Sequence, residues 1–353
     1  MIRDSIAKIT SGANLTPLEA RAAMVEMLTG AATVAQIGAF LTALSMKRET
    51  VEELAAFASA MKEFCHVIRP NVNRRMVDTC GTGGDSLKTF NVSTIAAIVA
   101  AGAGVTVAKH GNRSVTSNSG SADVLEQLGM NLSQEPAEVK KAIESIGIGF
   151  MFAPRFHPAM RAVLRTRQEI GVRTVFNLLG PLLNPANAQA HLLGVAERAW
   201  VTPVATTLMT LGCDEAMVVH GIGGLDEISL FGKTVVARVT GTSLTEFELS
   251  PKDFALEPVK PCHLLVTDPH ESARLTISLL NSNPAVREPR MGFALANAAA
   301  AIFVGGLDDD LAYCVELAAE SIASGAAYGK LRALVELSGG NVAVLDELER
   351  SDA

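Results

Sequence analysis

From Met76 onward, short apolar runs alternate with helical stretches, and this alternation constrains the fold more than any other feature of the chain. Residues 76–79, 105–108, 149–152, 192–195 and 216–219 predict strands, and 92–103 and 122–128 predict helices between the first of them. A strand, loop, helix period of this kind belongs to an α/β fold with a mainly parallel sheet. Ligands of such sheets gather beyond the carboxyl ends of the strands. Chemistry is therefore expected in the loops after Asp78, Ala108, Phe152 and Val219.

Residues 1–70 read as helices only. Thr16-Pro17-Leu18-Glu19, Thr33-Val34-Ala35-Gln36 and Thr50-Val51-Glu52-Glu53 each open a helix, followed by apolar residues at helical spacing. Arg69-Pro70-Asn71-Val72-Asn73 then breaks the pattern with turn formers. The expectation is a small all-helical unit over 1–70 and a large α/β unit over 71–353. With 48% hydrophobic residues in 353, both can bury a core. A net charge of -7 argues against a broad cationic face for nucleic acid. The five cysteines, Cys65, Cys80, Cys213, Cys262 and Cys314, lack zinc-site or disulfide-framework spacing and read as reduced thiols. The N-terminus lacks a signal-peptide apolar core, and the weakly polar stretches 95–107 and 291–306 are too short to span a bilayer. A cytoplasmic location is expected, with neither nucleic acid nor membrane as a partner.

Gly81-Thr82-Gly83-Gly84-Asp85 follows the first α/β strand. Glycines let backbone N–H groups turn inward on an anion, although a lone glycine cluster also fits a tight turn. The spacing is neither G-x-G-x-x-G nor a Walker A loop, since Lys88-Thr89 lacks the glycine required before the lysine. Asn91-Val92-Ser93-Thr94 puts small polar side chains at a helix N-terminus, with Asn91 placed to cap it; this suits phosphate or plain capping. Lys109-His110-Gly111-Asn112-Arg113 adds two cations after the next strand. Asp226-Glu227, after His220-Gly221-Ile222-Gly223-Gly224-Leu225, offers oxygen ligands of the kind magnesium takes beside substrate phosphates. Arg161, Arg165, Arg167 and Arg173 form a basic run after His157-Pro158, placed so that at least one can meet a carboxylate.

These loops, with Gln36-Ile37-Gly38-Ala39-Phe40-Leu41, Ser119-Gly120-Ser121-Ala122-Asp123-Val124-Leu125-Glu126, Arg173-Thr174-Val175-Phe176-Asn177-Leu178-Leu179-Gly180-Pro181, Asn184-Pro185-Ala186 and 224–229, resemble the anthranilate phosphoribosyltransferases in order and spacing over most of the chain. The resemblance implies transfer of the phosphoribosyl group of phosphoribosyl pyrophosphate to anthranilate, in tryptophan biosynthesis. It implies a helical domain that makes a homodimer contact and is completed by helices near 165–185, beside a larger α/β domain. Gly81, Gly84, Asp85, Thr89, Asn91, Val92, Ser93, Thr94, Lys109 and Ser121 would hold phosphoribosyl pyrophosphate, joined by His110, Gly111, Asn112, Arg113, Ser114, Val115, Thr116 and Ser117. Ser93, Asp226 and Glu227 would hold Mg2+, two ions with the diphosphate. Gly81, Asn112 and Arg167 would contact anthranilate, with His110, His157 and Pro181 near its route; Lys109 and Arg167 are the expected catalytic pair. An anthranilate synthase subunit is a candidate further partner. Two departures stand out: Asn118 occupies a position where relatives often have lysine, and Glu288-Pro289-Arg290-Met291 replaces the usual arginine-aspartate lead. Pyrimidine-nucleoside phosphorylases share the architecture and a related Lys-His loop, and form the nearest alternative.

Overall fold

The computed structural model describes residues 1–84, 87, 89–114, 119–266, 268–282, 284 and 288–352. Four helices open the chain: Ile2–Thr10, Pro17–Leu28, Val34–Lys47 and Val51–Lys62. The last three start with the capping boxes legible in the sequence, Thr16 with Glu19, Thr33 with Gln36 and Thr50 with Glu53. Glu53 does more than cap. It is fully buried, pairs with Lys47 Nζ at 2.8 Å and accepts from Leu15 N at 2.8 Å, tying the loop before one helix to the end of another. The core of this bundle, with Met24, Phe40 and Phe57, also takes in Val163, Val175, Leu179 and Leu182 from the later helices Arg161–Ile170 and Val175–Leu182.

Seven strands follow: β1 (Met76–Gly81), β2 (Thr106–Gly111), β3 (Ile148–Phe152), β4 (Ala190–Gly194), β5 (Glu215–Gly221), β6 (Thr234–Thr240) and β7 (Ser243–Leu249). Their order in one sheet is β3-β2-β1-β4-β5-β6-β7. The first five run parallel, and β6 and β7 are antiparallel. The expected class, a helical N-terminal part with a mostly parallel α/β part, is borne out. Side chains alternate between two cores as strand geometry requires. Leu192, Met217 and Val219 enter the α/β core with helices Val92–Gly102 and Pro289–Val304, whereas Leu193, Ala216 and Val218 face the bundle.

Two features differ from the sequence reading. The β6–β7 hairpin, turning at Gly241 (φ 58°), was not among the expected strands. Strands β1, β2 and β5 also run past their expected ends, so Lys109, His110 and Gly111 finish a strand instead of forming the loop after it. Polar residues can close a buried strand when they are held there: Lys109 Nζ donates to Thr79 O and Ser93 Oγ, and His110 N donates to Asp78 Oδ1.

The connectivity locates the site. From β1 the chain moves outward through β2 to β3, then returns to lay β4 on the other side of β1. The order reverses between β1 and β4, and the carboxyl ends of these two strands flank the crevice where α/β sheets bind ligands.

Candidate active site

At the switch point, Gly81 ends β1 and its register partner Gly194 ends β4. Asp226 packs into the space their missing side chains leave. A Cβ on Gly194 would fall 1.6 Å from the Asp226 carbonyl oxygen, and one on Gly81 would fall 2.3 Å from Asp226 Oδ2. Gly83 N donates to that Oδ2 at 2.8 Å, so the glycine-rich loop and the acidic loop are joined directly. Burial raises the Asp226 carboxyl above its ordinary value, against the Gly83 hydrogen bond and the charge of Arg173. Asn297, buried in the alanine-rich helix Pro289–Val304, fixes the segment after the acidic pair by accepting from Ile228 N at 2.9 Å and donating to Ile228 O at 3.2 Å.

Lys109 is the buried cation of the site. Its Nζ donates to Thr79 O at 2.5 Å and to Ser93 Oγ at 3.3 Å, and Thr79 Oγ1 donates to Ser93 O at 2.8 Å. The amine is thereby held between the end of β1 and the start of helix Val92–Gly102. Burial lowers its pKa, while Asp78 and then Glu227 work the other way. Asp78 is pushed up to about 6 by burial; it accepts from Asn184 Nδ2 at 2.7 Å and His110 N at 3.0 Å.

Asn91 occupies the N-cap position without capping. Its Oδ1 accepts from Ser272 Oγ at 2.8 Å and its Nδ2 donates to Ser119 O at 3.2 Å, so helix Val92–Gly102 begins with no side-chain cap. That start keeps its positive end available to an anion. Val92 and Thr94 are buried behind it, and Thr89 bridges to Leu265. Beyond β2, Arg113 is matched by Asp123 and Glu126, with Nη1 at 3.1 Å and 2.7 Å, and stacks on Phe152. Beside it, Ser114 N and Gly120 N both donate to Asp123 Oδ2, and Asn112 O accepts from Ser121 Oγ. Gly111 has no room for a Cβ, which would lie 2.2 Å from Ser121 Oγ. Asp85, Val115, Thr116 and Ser117, also expected here, lie outside the described residues, as does Asn118.

The expected aromatic side is a second cluster. The His110 and His157 rings meet at a 54° tilt with centroids 5.0 Å apart, and among the described residues neither buried Nε2 atom has a hydrogen-bond partner. Cys80 Sγ lies 4.0 Å from Pro181 O, which brings Pro181 to the end of β1. Arg167 sits 5.0 Å over the ring of Phe176, on the helix that also carries Pro181. Among the described residues no carboxylate pairs with Arg167, and burial alone lowers its pKa. A half-buried guanidinium with no carboxylate of its own is suited to a carboxylate brought by a ligand.

Asp78, Asn184 and Asn297 are not singled out as site residues by the sequence, and Arg173 stands there only within the basic run from Arg161. Asn297 had one legible signal, an amide inside an apolar alanine-rich helix.

Burial pushes His157 down to about 4 and His110 well below its ordinary value, so both rings are neutral near pH 7. His191, on β4, is likewise pushed down to about 4 by burial. A histidine depressed this way stabilises the fold fully above its unfolded pKa of about 6.5, and that contribution is lost as pH falls toward 4. Asp78 at about 6 and Glu49 at about 7 titrate in the opposite sense, so the effect is isolated by comparison with a variant. The stability advantage of wild type over His191→Asn should shrink by about 2 kcal/mol between pH 7 and pH 5, measured by urea denaturation. A constant difference would show that His191 is not depressed.

Residues 73–328 match the family model described as the α/β domain of a glycosyl transferase family, and residues 3–65 match its helical bundle domain. An anthranilate phosphoribosyltransferase from Methanosphaerula palustris is 50% identical over 344 residues, covering 96% of this chain and 99% of its own length. The crystal structure of the Thermus thermophilus anthranilate phosphoribosyltransferase superposes with a TM-score of 0.88 at 40% identity, over 95% of this chain and 99% of that one. The Saccharomyces cerevisiae anthranilate phosphoribosyltransferase, in complex with phosphoribosyl pyrophosphate and Mg, gives a TM-score of 0.87 at 29% identity, over 96% of this chain and 98% of that one. With its fold, its domain order and half its residues shared with a relative of full length, this chain belongs to the anthranilate phosphoribosyltransferase family.

Proposed function

We propose that the protein joins anthranilate to phosphoribosyl pyrophosphate, giving N-(5-phosphoribosyl)anthranilate and pyrophosphate in tryptophan biosynthesis. The observation that carries this reading is the meeting, at the β1/β4 switch point, of an uncapped helix start, a buried lysine and a buried aspartate tied to a glycine-rich loop. The diphosphate sits on the glycine loop, the helix start at Ser93 and Thr94, and the 109–117 segment. Lys109 offers fixed positive charge as the C1–oxygen bond breaks. It need not move a proton.

The aromatic amine of anthranilate is uncharged near pH 7 and attacks C1 without a strong base; as the N–C1 bond forms and the C1–oxygen bond breaks, the nitrogen sheds one proton to solvent or to the departing diphosphate. Neutral His110 and His157 fit that chemistry, lining the approach together with Pro181, Asn112 and Gly81. Asp226, Glu227 and Ser93 present oxygen donors only, a set that suits magnesium, and they are the residues that would hold two ions with the diphosphate. When bound, magnesium supplies positive charge to the departing diphosphate. Arg167 takes the anthranilate carboxylate. In Arg167→Ala the KM for anthranilate should rise about 10–100-fold, the cost of losing a charge-assisted hydrogen bond, with the KM for phosphoribosyl pyrophosphate within about twofold. Steady-state kinetics decide it, and an unchanged anthranilate KM removes Arg167 from the site.

The working unit is a homodimer in the cytoplasm, divided into a helical domain over 1–70, completed near 165–185, and an α/β domain over 71–353. Exposed Leu18, Met46, Leu164 and Val172, all on or beside the helical bundle, support the dimer contact. Among the described residues no helix is long and apolar enough to cross a membrane. Association with an anthranilate synthase subunit is a further candidate.

A further inference from the structure

Arg173 lies between the two halves of the site. It follows Gly171 (φ 64°), the left-handed residue that ends helix Arg161–Ile170, the helix carrying Arg167. Its carbonyl oxygen accepts from Ser45 Oγ at 3.0 Å, which anchors its backbone to helix Val34–Lys47 of the bundle. At the other end, its Nη1 donates to Gly83 O at 2.9 Å. The guanidinium runs where a side chain at Gly84 would begin: a Cβ there would lie 1.6 Å from Nη1 and 2.8 Å from Cζ. Gly84 also has φ 78°, a conformation that favours glycine, so the loop is built to admit this arginine.

The two peptide groups of Gly83 are both engaged. Its carbonyl takes the arginine, and its N–H is given to Asp226 Oδ2 at 2.8 Å. A continuous path therefore runs from Ser45 through Arg173 and Gly83 to Asp226. Among the described residues the acceptor for the Arg173 guanidinium is the Gly83 carbonyl.

We propose that Arg173 is a positioning residue: it holds the glycine-rich loop in the shape that receives the diphosphate and ties that shape to the helical part that carries the aromatic-binding arginine. The inference rests on the proposed transferase reading. It explains why a loop of glycines, which has a high entropy cost of ordering, can be preset before substrate arrives. Arg173 touches no reacting atom and acts through Gly83.

The test uses Arg173→Gln, Arg173→Lys, Ser45→Ala and the double variant Ser45→Ala/Arg173→Gln in the full chain. In Arg173→Gln the KM for phosphoribosyl pyrophosphate should rise about tenfold, with the anthranilate KM at saturating phosphoribosyl pyrophosphate within about twofold. Calorimetric titration with pyrophosphate and magnesium, without turnover, should weaken by the same factor. Arg173→Lys should recover part of the loss, because it keeps the charge and a donor but not the planar fork. Ser45→Ala should raise the same KM a few-fold in wild type and add little in the Arg173→Gln background, since the two act on one path. The inference is overturned if pyrophosphate binding stays within twofold of wild type in both Arg173 variants. It is also overturned if both substrates' KM values rise equally alongside a lowered melting temperature, the mark of a merely structural role. If Arg173→Gln does not fold, Arg173→Lys and Ser45→Ala still decide between these outcomes. Wild type inactive with anthranilate would instead count against the transferase reading itself.

Discussion

Replacing Asp226 by Asn and Glu227 by Gln together should lower kcat/KM for phosphoribosyl pyrophosphate by about 10²–10³-fold, the scale on which removing a group that stabilises leaving-group charge is felt. Both changes keep shape and remove charge. The asparagine amide oxygen in place of the Asp226 carboxylate can still accept from Gly83 N, so the 2.8 Å tie between the loops survives and the fold should hold. What disappears is the anionic oxygen that makes this pocket attractive to a cation. Burial already disfavours the Asp226 carboxylate. A protein that keeps such a group beside a glycine loop accepts that cost for a bound positive charge. The rate of the double variant should therefore respond weakly to magnesium concentration. An intact magnesium dependence would mean that the ion is held elsewhere.

A second large effect is expected from a single methyl group. Gly194→Ala places a Cβ 1.6 Å from the carbonyl oxygen of Asp226 and 2.3 Å from its carbonyl carbon. These are backbone atoms and cannot rotate away. Gly194 is itself held, registered to Gly81 on one side and Val219 on the other, with its carbonyl accepting from Thr82 N at 2.9 Å. The acidic loop must therefore shift away from the strand end, and displacements near 1 Å cost on the order of 100-fold in rate when the chemistry depends on alignment. Activity should fall by at least about 100-fold while circular dichroism still reports the α/β fold. Gly81→Ala should be milder for stability, because the nearest atom is Asp226 Oδ2, which a side-chain rotation can move. Wild-type rates in Gly194→Ala would show that Asp226 does not need its observed position.

How much of this was legible in the sequence depends on the distance over which each contact acts. The capping boxes at Thr16, Thr33 and Thr50 were legible because donor and acceptor are three residues apart. The strand cores were legible because burial demands apolar residues. Their ends were not, since Lys109 and His110 look like a loop until Thr79, Ser93 and Asp78 are seen to receive them. Asn91 had the composition of a cap, but Ser272, 181 residues away, claims its side chain. Arg173 and Gly83 are 90 residues apart, and nothing local announces their hydrogen bond. The β6–β7 hairpin escaped for another reason. β7 is an edge strand, mostly exposed, with little apolar alternation to detect.

Anthranilate is fluorescent, and its fluorescence falls when its amine is phosphoribosylated. The most direct measurement mixes the protein with anthranilate, phosphoribosyl pyrophosphate and magnesium and follows that signal. The signal should fall steadily only when all three components are present, and the loss should slow sharply in Asp226→Asn/Glu227→Gln. A signal that stays constant, with phosphate-dependent cleavage of a pyrimidine nucleoside by the same preparation, would contradict the transferase reading.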